Sequence, residues 1–118
     1  MELTVRDLNL NAQLLGNISW GDAFYSHIYE VWQNILDDNW YQREVYYSGD
    51  DAGFDKITNI TEEQAKEFLA NEDCFQYEGI EENLKSFMKE NWNSVKGYAE
   101  DCFGDDLIQA AEYLYNQI

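Results

Sequence analysis

Basic residues and proline are the residue types that this sequence lacks most clearly. The chain contains no proline, and its seven Lys and Arg stand against 24 Asp and Glu, which gives a formal net charge of −17. A surface that binds a phosphate backbone needs clustered Lys and Arg. The sequence therefore argues against direct binding of nucleic acid, and it disfavours an anionic membrane for the same reason.

Long apolar runs are also missing. No segment approaches the ~18 consecutive apolar residues typical of a membrane-spanning helix. The opening MELTVRDLNLN has no basic stretch followed by an apolar one, as a signal peptide would have. We therefore expect no membrane association and a cytoplasmic location.

Residues that commonly carry catalysis or bind metals are few. His27 is the only histidine, and Cys74 and Cys102 are the only cysteines, with a spacing that matches neither a zinc motif nor a redox CxxC pair. The segment SGDDAGFD at 48–55 lacks the register and the closing Glu of a calcium loop. The sequence thus predicts a protein that is not an enzyme and that needs no metal and no cofactor.

Aromatic residues, by contrast, are plentiful, with 4 Trp, 9 Tyr and 6 Phe among 118 residues. Side chains of this size supply the apolar burial that disordered acidic chains lack. The length fits one ordinary core, and no repeat or low-complexity linker divides the chain. We therefore predict a single compact acidic domain over 1–118.

Apolar residues recur at intervals of three and four along two stretches, which favours helices over 22–37 and 80–103 that pack together through Trp32 and Phe87. Thr61 and Gln64 have the spacing of a capping box, which predicts a short helix through residue 70. A last helix follows Gly104, which resembles a left-handed helix stop, with Asp105 as the N-cap.

Strand signals occur at 41–47 and 54–57, which flank a turn, and at a short segment 74–77. The first 18 residues are ambiguous and are interpreted as a strand followed by a turn. The predicted fold class is accordingly α+β, with about four helices packed with a small antiparallel sheet or hairpin.

Acidic residues that are largely unbalanced by bases collect where the predicted elements meet, although Lys96 has helical pair spacing with Glu100. One pair is Asp37 and Asp38, and the remaining groups are our candidate partner-binding residues: Asp50, Asp51, Asp55, Glu72, Asp73, Glu78, Glu100, Asp101, Asp105 and Asp106. Solvated turns are rich in Asp, so any one group alone has an ordinary explanation. Four groups in a chain of net charge −17 create self-repulsion that indicates a need for solubility or for a partner.

A basic protein surface is the partner that this charge favours. Proteins that bind DNA line a groove with Lys and Arg. A rigid domain covered with carboxylates can occupy such a groove in place of DNA, using the same electrostatic steering.

Two stretches of the chain resemble a known family. LNLNAQLLGNISWGD, residues 8–22, is similar to the opening of ArdA-type antirestriction proteins, where an Asn-rich turn, a glycine and a Trp followed by Asp come after a first strand. GYAEDCFGDDLIQAAEYLY resembles the acidic C-terminal part of that family. The resemblance implies a phage- or plasmid-encoded DNA mimic that acts in a bacterial host cell and inhibits restriction enzymes or CRISPR effectors.

Several functions stay open at this point. The leading one is an anti-defence inhibitor, antirestriction or anti-CRISPR, that binds a basic DNA-binding surface as a monomer or homodimer. The charge fits equally well an immunity protein or antitoxin that caps a basic nuclease toxin. An acidic structural or replication accessory protein and a small enzyme that uses paired carboxylates are further alternatives.

Overall fold

The computed structural model describes residues 7–8, 11–21, 24–49, 53–104 and 106–117. Asp50, Asp51 and Asp105 therefore lie outside the described residues. Contacts between residues divide the chain into two compact units, Met1–Gly79 and Ile80–Ile118. The single domain over 1–118 stays a prediction.

The first unit is built on a five-stranded antiparallel sheet. Its strands are β1 (Ala12–Gly21), β2 (Tyr25–Asn34), β3 (Trp40–Ser48), β4 (Phe54–Ile60) and β5 (Phe75–Gln76). Their order across the sheet is β4-β3-β2-β1-β5, so the first four strands form a meander and β5 pairs with the outer edge of β1.

The turn between β2 and β3 uses local hydrogen bonds of polar side chains. The Asn34 side-chain oxygen accepts from the backbone N–H groups of Leu36 and Asp37 at 2.9 and 3.2 Å. The Asp37 carboxylate accepts from the N–H of Asn39 at 2.9 Å, and Asp38 adopts a left-handed φ of 61°. Asp and Asn stabilise such turns through bonds of this kind, so turn chemistry accounts for Asp37 and Asp38.

Helix α1 (Glu62–Leu69) covers one half of one face of the sheet. A bulge at Leu15 shifts the pairing between β1 and β2, so that Gly16 lies opposite Val31. A Cβ atom at Gly16 would lie only 2.9 Å from Cys74 Sγ and would also collide with Leu69 of α1. The glycine therefore lets α1 approach the sheet closely, and Val31 beside it is fully buried.

The opposite face of the sheet carries a second apolar cluster. Trp32, which follows Val31 on β2, is buried there at 7 % exposure together with Leu8 and Ala12, and it packs against Leu14, Tyr41 and Ile57. Adjacent residues of β2 are thus buried on opposite faces.

The second unit contains three helices within the described residues: α2 (Glu82–Glu90), α3 (Trp92–Cys102) and α4 (Leu107–Tyr115). Helix α4 packs against both α2 and α3. Ring contacts join Phe87 to Tyr115 at 5.4 Å and Tyr98 to Tyr113 at 5.9 Å between centroids. None of the helices in the described part of the chain has the length and apolar composition that a bilayer crossing requires.

The predicted fold class is wrong about the sheet. The described residues form four helices, as predicted, but a five-stranded sheet with four long strands dominates the structure in place of a small sheet or hairpin. The stretch 22–37, predicted as a helix, is strand β2 and its turn where the structure describes it. The helix predicted over 80–103 is two helices, interrupted at Asn91 with φ −119° and ψ 31°. Phe87, predicted in the core, is only half-buried, and its neighbour Met88 is the buried side chain.

Other sequence predictions are confirmed. The hairpin exists as β3 and β4, and β5 lies within the predicted short segment at 74–77. Thr61 and Gln64 form the capping box of α1, with reciprocal bonds of 3.1 and 2.9 Å. Gly104 has the left-handed φ of 58° expected of a helix stop.

Trp32→Ala should destabilise the chain by about 3–5 kcal/mol, because the substitution leaves a large cavity in a closed cluster. Trp20, on β1 and 47 % exposed, provides the matched control. Trp20→Ala should cost only about 1 kcal/mol, since it loses ring contacts without opening a cavity. Urea unfolding of both variants measures the difference, and equal losses would contradict the assignment of Trp32 to the core.

Substitution by alanine should change the stability of the chain in opposite directions at two glycines. Gly16→Ala should cost about 1–3 kcal/mol, because α1 or Cys74 must move away from the sheet. Gly97, inside α3, has open space where a Cβ methyl would lie, with no neighbouring atom within 4 Å. Gly97→Ala should therefore gain about 0.5–1 kcal/mol from the better helix former. Thermal unfolding of the pair checks this, and a stabilising Gly16→Ala would refute the close approach of α1.

Candidate partner-binding surface

The end of α3 presents two of the predicted acidic residues to solvent. Glu100 and Asp101 are exposed, they lie in the last turn of the helix, and that turn contains no basic residue. The helix dipole places partial negative charge at this end, so acids there are unfavourable by a few tenths of a kcal/mol or more. Helix stability therefore does not explain these two carboxylates.

At the junction between α3 and α4, the N-cap of α4 is not the residue that the sequence predicted. The N-cap of α4 is Asp106, whose carboxylate accepts a hydrogen bond from the backbone N–H of Gln109 at 3.0 Å. Asp105, predicted as the cap, lies outside the described residues. Asp106 is exposed as well, and its carboxylate has a structural role that Glu100 and Asp101 do not share.

The predicted acids of the first unit that the structure describes lie at opposite edges of the sheet. Glu72, Asp73 and Glu78 flank β5 at one edge, where all three are exposed, and no ion pair joins them to any residue that the structure describes. Asp55 lies on β4 at the other edge. The edge strands are four interstrand spacings apart, roughly 19 Å, so the sheet separates these groups.

Asp55 differs from the other candidates because a base compensates its charge. Arg43 donates from Nε to Asp55 Oδ1 at 3.0 Å and from NH2 to Oδ2 at 2.7 Å, and it donates from NH1 to Glu30 at 2.9 Å. The bonds that Arg43 donates to Asp55 and to Glu30 raise the pKa of its guanidinium above its ordinary value. Asp55 is thus part of a cross-strand ion network, which favours a structural role.

An aromatic surface that the sequence predictions missed occupies the half of the sheet face that α1 leaves open. The strand register places its six rings on the same face, and we call this set the aromatic face: Trp20, Tyr25, His27, Tyr29, Tyr46 and Phe54. Neighbouring ring centroids lie 4.9–6.5 Å apart. The alternation of Tyr25, His27 and Tyr29 was the available sequence signal, since period two places all three on one face.

A carboxylate lies among these rings. Glu44 on β3 accepts hydrogen bonds at its Oε2 atom from His27 Nε2 at 2.8 Å and from the Tyr29 hydroxyl at 2.9 Å. The bond from His27 contributes most to lowering the pKa of Glu44, and the bond to Glu44 raises the pKa of Tyr29. Lys56 lies opposite Glu44 on β4 and also favours its ionised form. Glu44 is therefore a stable anion at neutral pH.

The described residues offer few other groups that could bind a metal or react. They contain no group of three or more His, Cys, Asp or Glu that could hold a metal ion. An open groove of about 500 Å³ runs along α3, lined by Asn93, Ser94, Gly97, Tyr98, Asp101 and Cys102. The groove brings Asp101 next to an exposed thiol, and both cysteines of the chain are free.

Comparison of the chain with protein-family models, with curated proteins and with solved structures gives no match. The resemblance to ArdA-type proteins therefore stays an expectation from the sequence.

Glu44→Gln should make the stability less sensitive to acid. Because the pKa of Glu44 is lower in the folded state, its bonds contribute stability above about pH 4.5 and lose it as the pH falls through the folded value. The contribution should be about 1 kcal/mol or less, since the carboxylate is partly exposed. Urea unfolding of both proteins from pH 7 to pH 3 gives the difference, in which shared effects of the other acids cancel. A constant difference between pH 7 and pH 3 would contradict this linkage.

Proposed function

We propose that this chain is an acidic inhibitor that binds the basic DNA-binding surface of a bacterial defence enzyme, a restriction enzyme or a CRISPR effector, and keeps DNA from that surface. The observation that carries the proposal is the placement of Glu100 and Asp101. Both are exposed at the helix end that disfavours negative charge, and neither has an ion-pair partner among the described residues. Such carboxylates are suited to a cationic partner.

The distribution of the acids supports recognition of the charge field as a whole. Exposed candidates that form no ion pair with a described residue occur in both compact units: Glu72, Asp73 and Glu78 in the first, and Glu100, Asp101 and Asp106 in the second. A surface that binds DNA is itself extended, because it follows phosphates spaced along the duplex. Several acidic groups match such a surface better than a single group would.

Electrostatic attraction of this kind acts mainly on the association rate. Complementary fields raise association rates by 10-fold or more at low salt, and the gain falls as ions screen the charges. The inhibitor would thus bind with the steering that the enzyme provides for DNA. Loss of individual carboxylates should therefore slow association more than it accelerates dissociation.

Charge reversal at the end of α3 tests the proposal. Glu100→Lys with Asp101→Lys should slow association about tenfold at 0.05 M salt with the enzyme that the immobilised chain retains from a bacterial lysate. Glu100→Gln with Asp101→Asn should slow it less, because the change of charge is half as large. The difference from wild type should shrink towards 0.5 M salt, where the Debye length is below about 5 Å. Stopped-flow measurements give these rates.

Separate controls test whether the effect depends on where the charges lie and whether the chain keeps DNA from the enzyme. Glu62→Lys with Glu63→Lys changes the net charge equally on exposed residues of α1 that are not among the candidates, and it should slow association less. Circular dichroism confirms that each variant is folded. Rates equal to wild type at every salt concentration would refute the proposal, and so would an enzyme that holds DNA and this chain at the same time.

A further inference from the structure

The aromatic face is open to solvent although its rings are large and apolar. Trp20 is 47 % exposed and Phe54 is 48 % exposed, and Tyr25 between them on β2 is 41 % exposed. The other half of the same sheet face is covered by α1, which packs onto Gly16. The exposed rings thus form a continuous patch of defined extent, as protein interaction sites do.

Glu44 is a polar group at the centre of this patch, and its carboxylate can accept a further hydrogen bond. Its Oε2 atom accepts from His27 and Tyr29, whereas its Oε1 atom accepts no hydrogen bond from the described residues. The side chain is 27 % exposed, so a donor arriving from solvent can reach it. The two bonds at Oε2 hold the carboxylate in position among the rings.

We propose that the aromatic face binds an arginine side chain of the basic partner, with the guanidinium stacked on Trp20 and donating to Glu44 Oε1. The inference rests on the proposed function, which supplies a partner rich in Lys and Arg. A planar guanidinium stacks on aromatic rings and donates to a carboxylate at the same time, whereas an ammonium group is more strongly hydrated and has no planar face. Rings around a carboxylate therefore favour Arg over Lys.

The negative charge of the chain favours an arginine side chain over an uncharged ligand or a second copy of the chain. A second copy would bring one net charge of −17 against another, which disfavours association. An uncharged ligand would use the rings but would bring no positive charge to the ionised Glu44. Lys56, the exposed neighbour of Glu44 on β4, opposes an incoming cation, so its removal should strengthen the same contact.

Two fluorescently labelled peptides of equal charge, hexa-arginine and hexalysine, test the inference by anisotropy at 0.15 M salt. Both should bind, because both are attracted by the acidic field, and the ratio of their affinities reports the arginine contact. Trp20→Ala and Glu44→Gln should each lower this ratio at least about threefold. Lys56→Gln should raise the affinity for hexa-arginine. The indole N–H signal of Trp20 should shift in NMR spectra with hexa-arginine.

Matched controls separate the contact from loss of charge or of exposed aromatic surface. Glu112→Gln removes one charge from an exposed residue of the second unit that is not among the candidates, and Tyr47→Ala removes a 56 % exposed ring from the opposite face of the sheet. Neither should change the ratio. Glu44→Gln preserves the shape of the side chain, so its result stands even where Trp20→Ala affects folding.

The outcomes distinguish this inference from the function on which it rests. Binding of both peptides with a ratio that Trp20→Ala and Glu44→Gln leave unchanged would overturn the arginine contact and leave the acidic inhibitor standing. Failure of the wild-type chain to bind either peptide would overturn both. A dimer that sedimentation detects in the wild type and not in Trp20→Ala would assign the face to a second copy and overturn the inference.

Discussion

Burial of strand β2 from both sides is the constraint on which the first unit depends. Val31 lies on the face that α1 covers, and Trp32 lies in the apolar cluster of the opposite face. The helix approaches the sheet because Gly16 has no side chain, and the bulge at Leu15 brings this glycine opposite Val31. Because α1 has only two turns, it covers half of that face and leaves the aromatic face open.

The same constraint explains why the fold could be predicted from the sequence only in part. A strand with one solvent face alternates apolar and polar residues, but β2 buries the neighbours Val31 and Trp32 on opposite faces, and Ile35 in the following turn is buried too. Apolar residues four apart then imitate the stripe of a helix. The capping box at Thr61 and the stop at Gly104 were predictable because their chemistry involves only nearby residues.

The candidate surface could likewise be predicted from the sequence only in part. Exposure of Glu100 and Asp101 follows from their helical position, which the local sequence indicates. The pairing of Asp55 with Arg43 depends on the register between β3 and β4, so the sequence could not show that this acid is compensated. The aromatic face draws Trp20, His27, Tyr46 and Phe54 from four strands, and only the strand order brings these rings together.

Each surface feature includes groups whose exposure is unfavourable for the isolated chain. Glu100 and Asp101 oppose the dipole of α3, and the aromatic face exposes apolar area that a folded chain would gain by burying. The two features act over different distances, since screened charges attract over about 8 Å or more and ring contacts require touching atoms. In the proposed complex with an arginine-rich partner, the acids would accelerate the approach and Glu44 among the rings would select the guanidinium at contact.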